Sequence, residues 1–189
     1  MKSLEERILK EGVVIDNDIL KVDSFINHQI DINLIKEFAN EVELCFKGKK
    51  VDKILTIETS GIPMAFAVAE KFSNVPLVFA KKSKSATVDN NVYKTEIKSF
   101  TRNTISEVTV AKPYLKKNEH ILIVDDFLAE GNAAIGLIDL CEQAGAVVVG
   151  FADVIEKAFQ GGKNRIREKG IDVFSGAVIK AFKDNKPIF

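Results

Sequence analysis

The chain has 189 residues, 46% hydrophobic and 29% charged, with 27 basic residues balanced by 27 acidic ones. That length is enough for one well-cored domain and short for two. A net charge near zero offers no broad surface to nucleic acid or an anionic membrane, and no apolar run approaches the ~18 residues of a membrane span.

The first residues, Met1-Lys2-Ser3-Leu4-Glu5-Glu6-Arg7, are amphipathic and acidic, unlike a secretory signal. Residues 4–11 read as a short helix stopped by Gly12, and a polar, irregular stretch follows up to Ile30. Asp31 is placed to cap a longer helix with apolar positions at Ile35, Phe38, Ala39, Val42, Leu44 and Cys45. Lys53–Ile57 reads as a strand, followed by the turn Glu58-Thr59-Ser60-Gly61 and a helix over 63–72 with Pro63 in its first turn. Residues 76–80 give another strand signal. Residues 82–112 are polar with patches of alternation, as in Thr95-Glu96-Ile97-Lys98-Ser99-Phe100, which predicts a long hairpin or a mobile flap rather than core. Cys45 and Cys141 fall on apolar helix faces and lack metal-site spacing, so they predict buried free thiols in a reducing cytoplasm.

Residues 121–134 are the most informative part of the chain: Ile121-Leu122-Ile123-Val124-Asp125-Asp126-Phe127-Leu128-Ala129-Glu130-Gly131-Asn132-Ala133-Ala134. Four apolar, mostly β-branched residues predict a buried strand over 121–124, with two carboxylates at its carboxyl end. After a Gly-containing turn, Ala134, Leu137, Ile138, Cys141 and Ala144 have the spacing of one helix face. Ligands of open α/β sheets bind at the carboxyl ends of strands. A helix start suits a phosphate, and paired carboxylates suit sugar hydroxyls or a hydrated Mg²⁺. A strand over 147–154, a short helix near 163–169 and a strand over 171–178 follow. Strands alternating with helices predict an α/β fold: one doubly wound, mostly parallel sheet with helices on both faces, spanning 1–189 as a single domain.

The 121–134 segment resembles the phosphoribosyl-diphosphate (PRPP) signature of the type I phosphoribosyltransferases: apolar residues, two acids, two apolar residues, then a small loop. The family usually has Thr or Ser in that loop, and this chain has Ala129-Glu130-Gly131-Asn132-Ala133 instead. Asp-Asp-Phe-Leu-Ala-x-Gly-x-Ala-Ala resembles the branch that acts on xanthine. So do Leu20-Lys21-Val22-Asp23-Ser24-Phe25-Ile26-Asn27-His28-Gln29-Ile30-Asp31 and Val154-Ile155-Glu156-Lys157-Ala158-Phe159.

The resemblance implies transfer of 5-phosphoribose from PRPP to xanthine, with Mg²⁺ arriving with PRPP, in a cytoplasmic homodimer. It implies that Asp125 and Asp126 hold the ribose hydroxyls and that Ala129, Glu130, Gly131, Asn132 and Ala133 wrap the 5′-phosphate. Glu58, Thr59, Ser60 and Gly61 would form the diphosphate loop, where the family has a non-proline cis peptide. Lys81 and Lys82 would help neutralise the diphosphate. They belong to a basic set with Lys84, Lys94, Lys98 and Arg102 in or beside a flexible flap at about 82–112. A small hood at about 1–30, with the C-terminus as a further contributor, would cover the base. There Leu20 and Asn27 would meet the 2-position, Lys157 would donate to O6, and Phe159 would help enclose the ring. A cationic donor facing the 6-position disfavours a 6-amino group. His28 and His120 have no partner at catalytic spacing. Three alternatives stay open: a guanine/hypoxanthine or adenine enzyme of the same family, a non-catalytic PRPP-sensing regulator, and a receiver-like or nucleotide-binding α/β domain. The regulator would need a DNA-reading element, of which the sequence has no sign.

Overall fold

A computed structural model of the chain describes residues 1–83, 91–98 and 105–189. Lys84 and Arg102 of the expected flap lie outside the described residues. The elements are α1 (Lys2–Glu11), β1 (Val13–Ile15), β2 (Ile19–Lys21), α2 (Ile32–Cys45), β3 (Lys53–Ile57), α3 (Gly61–Lys71), β4 (Leu77–Ser83), β5 (Val92–Lys98) and β6 (Ile105–Ala111). They continue with β7 (His120–Leu128), α4 (Asn132–Ala144), β8 (Val147–Lys157), α5 (Gly162–Arg167), β9 (Val173–Ile179), β10 (Ala181–Lys183) and β11 (Lys186–Ile188).

Seven strands form the main sheet in the order β5-β6-β4-β3-β7-β8-β9. β4, β3, β7, β8 and β9 are mutually parallel, and β6 and β5 add an antiparallel edge. Alternate strand residues feed two cores. Ile54, Leu122, Val124, Ala152 and Val154 pack with α1, α2 and α3, whereas Leu55, Ile57, Ile121, Ile123 and Phe151 pack with α4 and α5. Helices therefore cover both faces, which explains why the parallel strands read as near-continuous apolar runs. Lys53 is the cationic exception in β3. Its Nζ is satisfied by the Tyr114 carbonyl at 2.7 Å and both Glu119 carboxylate oxygens at 2.8 and 2.7 Å.

Several local expectations hold. The Asp31 carboxylate accepts from the Asn33 and Leu34 N–H groups at 3.0 and 3.2 Å and caps α2. The α4 stripe Ala134, Leu137, Ile138, Cys141, Ala144 is buried throughout.

Four expectations are corrected. Leu44 and Cys45 are exposed, because the buried α2 face runs Ile35, Phe38, Ala39, Val42 and on to Phe46; the next turn reaches the core four residues after Val42. The polar stretch 82–112 is not all outside the core: Ile97, Val108 and Val110 are buried, and β5 and β6 extend the main sheet. The irregular stretch before Ile30 contains the β1–β2 hairpin, turned by Asp16 and Asn17 at φ 53° and 49°. It also contains a π-helical turn over Asp23–Asn27. Finally, β7 does not stop before the acids. It runs to Leu128, paired with β8 as far as Leu128↔Glu156, while its pairing with β3 ends at Ile123.

At the far end of the chain, β10 and β11 form a second small hairpin, turned by Asp184 and Asn185. The two hairpin tips are joined reciprocally: Asn17 N–H donates to Asn185 Oδ1 at 3.1 Å, and Asn185 N–H donates to Asn17 Oδ1 at 2.8 Å.

Candidate active site

The direction in which successive strands are added reverses at the centre of the sheet, between the parallel strands β3 and β7. β3 leads through α3 to β4 on one side, and β7 leads through α4 to β8 on the other. Such a switch point opens a crevice at the strands' carboxyl ends. Here it is a cleft of about 660 Å³. Its walls include Glu58, Thr59, Ser60 and Gly61 after β3, Asp125 and Asp126 on β7, and all of 129–133. Leu20, Asn27, Lys82 and Lys157 complete the set of expected residues that it gathers. Lys81 and Phe159 are not in that wall: Lys81 Nζ lies 5.9 Å from the Phe79 ring centroid, and Phe159 packs edge-on against Phe182. His120 sits at the opposite, amino end of β7, where its Nδ1 meets Asp52 at 2.8 Å.

The acid pair lies just past the last β3–β7 pair, with Gly61 at the start of α3 packed against Asp125. Burial pushes the Asp125 carboxyl well above the usual carboxylate range, and the neighbouring Asp126 charge pushes it further. Burial also raises Asp126, against hydrogen bonds from Asp125 and from main-chain N–H groups. Lys82 is the cation that pulls both down. Two crowded, desolvated acids favour hydroxyl donors or a dication. Among the described residues no cluster of three or more His, Cys, Asp or Glu could hold a metal, so a cation there would need ligands from a bound partner molecule.

On one side of the acids, the Glu58–Thr59 peptide is cis. The Glu58 carboxylate accepts from the Lys82 N–H at 2.7 Å, which ties this turn to β4. On the other side, Gly131 is the N-cap of α4 at φ 81°, and no side chain caps the helix. The first N–H groups of α4 are left for a ligand, at the positive end of the helix dipole. At the cleft's far end, Lys157 closes β8 and is 8% exposed. Its Nζ donates to the Asp18 carbonyl at 2.6 Å, beneath the first hairpin, and lies 5.7 Å from the Phe182 ring centroid. Burial lowers its pKa, and the Asp18 charge opposes that shift.

Two groups of residues were not anticipated. The first is a buried polar chain behind Lys157. Ser175 Oγ lies 2.9 Å from Asp153 Oδ2 and 2.8 Å from Glu156 Oε2, and Glu156 is paired with Lys163 at 2.9 Å. One hydroxyl proton cannot serve two carboxylates. Burial raises the fully enclosed Asp153 well above the ordinary range, and the Ser175 hydroxyl opposes that shift. The second group is Gly162 and Arg165 of α5, packed against the back of the 129–133 loop. A Gly161-Gly162 pair just after the Lys157 segment was a signal for close packing, but nothing in the sequence marked Arg165.

Residues 21–181 match the model of the phosphoribosyl transferase domain. A xanthine phosphoribosyltransferase of Clostridium tetani is 51% identical over the whole of both chains. One from Clostridioides difficile is 53% identical over 96% of this chain and 95% of its own. Among solved structures, adenine phosphoribosyltransferase of Rhodothermus marinus superposes with a TM-score of 0.74 at 18% identity, covering 95% of this chain and all of its own. The Trypanosoma brucei enzyme, in complex with AMP, pyrophosphate and ribose-5-phosphate, gives 0.75 at 19%, over 96% and 82%. Those two likenesses speak to the fold; with the domain match and the full-length relatives, the chain belongs to the phosphoribosyltransferase family.

Proposed function

We propose that this phosphoribosyltransferase moves 5-phosphoribose from PRPP to xanthine, giving xanthosine 5′-monophosphate and diphosphate. The observation that carries this reading is the gathering, in one cleft, of an acid pair, an uncapped helix start behind Gly131, and a buried lysine at the opposite end. Full-length relatives at about half identity bear the name of that activity.

In this reading Asp125 and Asp126 hold the ribose hydroxyls, directly or through water and the Mg²⁺ that accompanies PRPP. The ion supplies charge neutralisation to the diphosphate. Main-chain N–H groups of Ala129, Glu130, Gly131, Asn132 and Ala133 take the 5′-phosphate. Glu58, Thr59, Ser60 and Gly61 face the diphosphate together with Lys82, and Lys81 adds charge nearby. Lys157 donates to O6 of the base, Leu20 and Asn27 meet its 2-position, and Phe159 flanks the ring through its contact with Phe182. A ring nitrogen attacks the anomeric carbon as the bond to diphosphate breaks. Alignment and stabilisation of the leaving charge supply the acceleration, with no covalent nucleophile. Residues 1–189 act as one domain, with a hood at about 1–30, in a cytoplasmic homodimer.

PRPP consumption measured against a panel of purines tests the base assignment. Xanthine is expected to be used best, guanine or hypoxanthine less well, and adenine hardly at all. Lys157→Ala should lower kcat/KM on every 6-oxo purine by tenfold or more, since a lost bond to a charged donor costs about 1.5–3 kcal/mol. Asn27→Ala should mainly erode the preference for xanthine over hypoxanthine. Adenine turned over as fast as xanthine would overturn the assignment.

A further inference from the structure

A trans peptide is planar, with its C=O and the following N–H on opposite sides. Whatever holds a loop carbonyl therefore aims the next N–H the other way. Two successive carbonyls of the 129–133 loop are held from α5. The Gly162 N–H donates to the Ala129 carbonyl at 3.0 Å, and Arg165 Nη1 donates to the Glu130 carbonyl at 2.6 Å. The N–H groups of Glu130 and Gly131 are thereby turned away from α5. Both residues line the cleft, whereas Arg165 lines a separate hollow between β5 and α4.

Arg165 makes a second bond, from Nη1 to Asn132 Oδ1 at 2.8 Å. A guanidinium only donates, so it fixes which end of the Asn132 amide faces it. The amide's Nδ2 is left to donate to Glu130 Oε2 at 3.0 Å and to the Lys98 carbonyl at 3.3 Å. Arg165 thus holds, through Asn132, the only ionisable side chain in the loop. Gly162 is in the helical run of α5, where its backbone would accept alanine. The loop forbids it: an added Cβ would lie against the Ala129 carbonyl oxygen and 2.7 Å from the Gly131 nitrogen. The support itself is anchored by the buried Ile166 and by the Lys163–Glu156 pair.

We infer that α5 is the backing of the phosphate loop and that Arg165 is a positioning residue for the 5′-phosphate of PRPP. The inference rests on 129–133 being that loop. Arg165 is exposed and outside the cleft, so Arg165→Ala should fold and melt as wild type. Its KM for PRPP should rise about tenfold, while kcat and the KM for xanthine stay within about twofold, the loss of two charge-assisted bonds at a partly solvated site. Arg165→Lys, whose Nζ stops about one bond short of the Nη1 that makes both contacts, should recover part of the loss. Gly162→Ala should raise the same KM by about tenfold or more by displacing the loop.

Backbone NMR with ribose 5-phosphate separates this inference from the reading beneath it. If the wild-type amides of 129–133 do not respond, the phosphate-loop assignment fails and the inference with it. If they respond, yet Arg165→Ala binds ribose 5-phosphate and PRPP as wild type does, only the role of α5 is overturned. Parallel losses in kcat, both KM values and melting temperature would reduce Arg165 to general stability and also overturn it. A selective rise in the KM for PRPP, with the loop amides of free Arg165→Ala already shifted, supports it.

Discussion

Asp125 and Asp126 have surroundings that suit a ligand-facing acid better than a structural one. Both are crowded and raised by burial, and among the described residues Lys82 is the cation that opposes the shift. Asp125→Asn with Asp126→Asn should therefore leave the fold at least as stable as wild type, while PRPP binding in the presence of Mg²⁺ disappears. Calorimetry decides between this and a structural role, in which binding persists and melting temperature drops. Asp153 carries a similar shift inside the fold, where it shares the Ser175 hydroxyl with Glu156, itself paired with Lys163. The folded chain keeps a proton there that the unfolded chain releases near the ordinary value of 3.8. The folded state binds more protons across that window, so stability falls as pH rises from about 4 toward the raised folded pKa and is level beyond it. Asp153→Asn should flatten part of that slope, the remainder belonging to Asp125 and Asp126. Urea titrations at a series of pH values would show it, and an unaltered slope would mean that Asp153 is ionised in the fold.

Among the elements, the β7–loop–α4 unit has the sharpest sequence requirement. Gly131 adopts φ 81°, and an added Cβ would stand 3.0 Å from the Gly162 Cα. A β-branched residue is strained at that φ and crowded by the neighbouring glycine. Gly131→Val should lower affinity for ribose 5-phosphate by at least tenfold, read from loop amide shifts on titration, and wild-type affinity in the variant would remove the loop from the site. Much of this unit was legible in the sequence, because apolar periodicity, an adjacent acid pair and a glycine are all local signals. The α2 cap at Asp31 was legible for the same reason. Strand ends were not: Asp125 and Asp126 lie within β7, since its pairing with β8 continues after pairing with β3 has stopped, and no local pattern reports a neighbour's length. Three-residue strands such as β1 and β2 are too short to show alternation, although Asp16-Asn17 was a turn signal. Arg165 was invisible because its role depends on a contact more than thirty residues away in sequence, with Glu130 and Asn132.

At the level of the whole molecule, stability should be graded outward from the sheet. β6 lies between β4 and β5 with Val108 and Val110 buried, whereas β10 and β11 form a two-stranded ribbon of three residues each. Amide exchange should be slow along β6 and fast along β10–β11, and equal protection would contradict this gradation. The cleft also has an internal scale. Lys157 at one end of the cleft and Gly162 behind the loop are joined by four intervening residues, Ala158, Phe159, Gln160 and Gly161, with the segment clamped by the Asp18 carbonyl at one end and the Ala129 carbonyl at the other. That short span is a gauge: under the proposed function it would set how far a base may sit from a phosphate. One residue added or removed here would make the two grips disagree, and under the proposed function would change the size of nucleotide that fits between them.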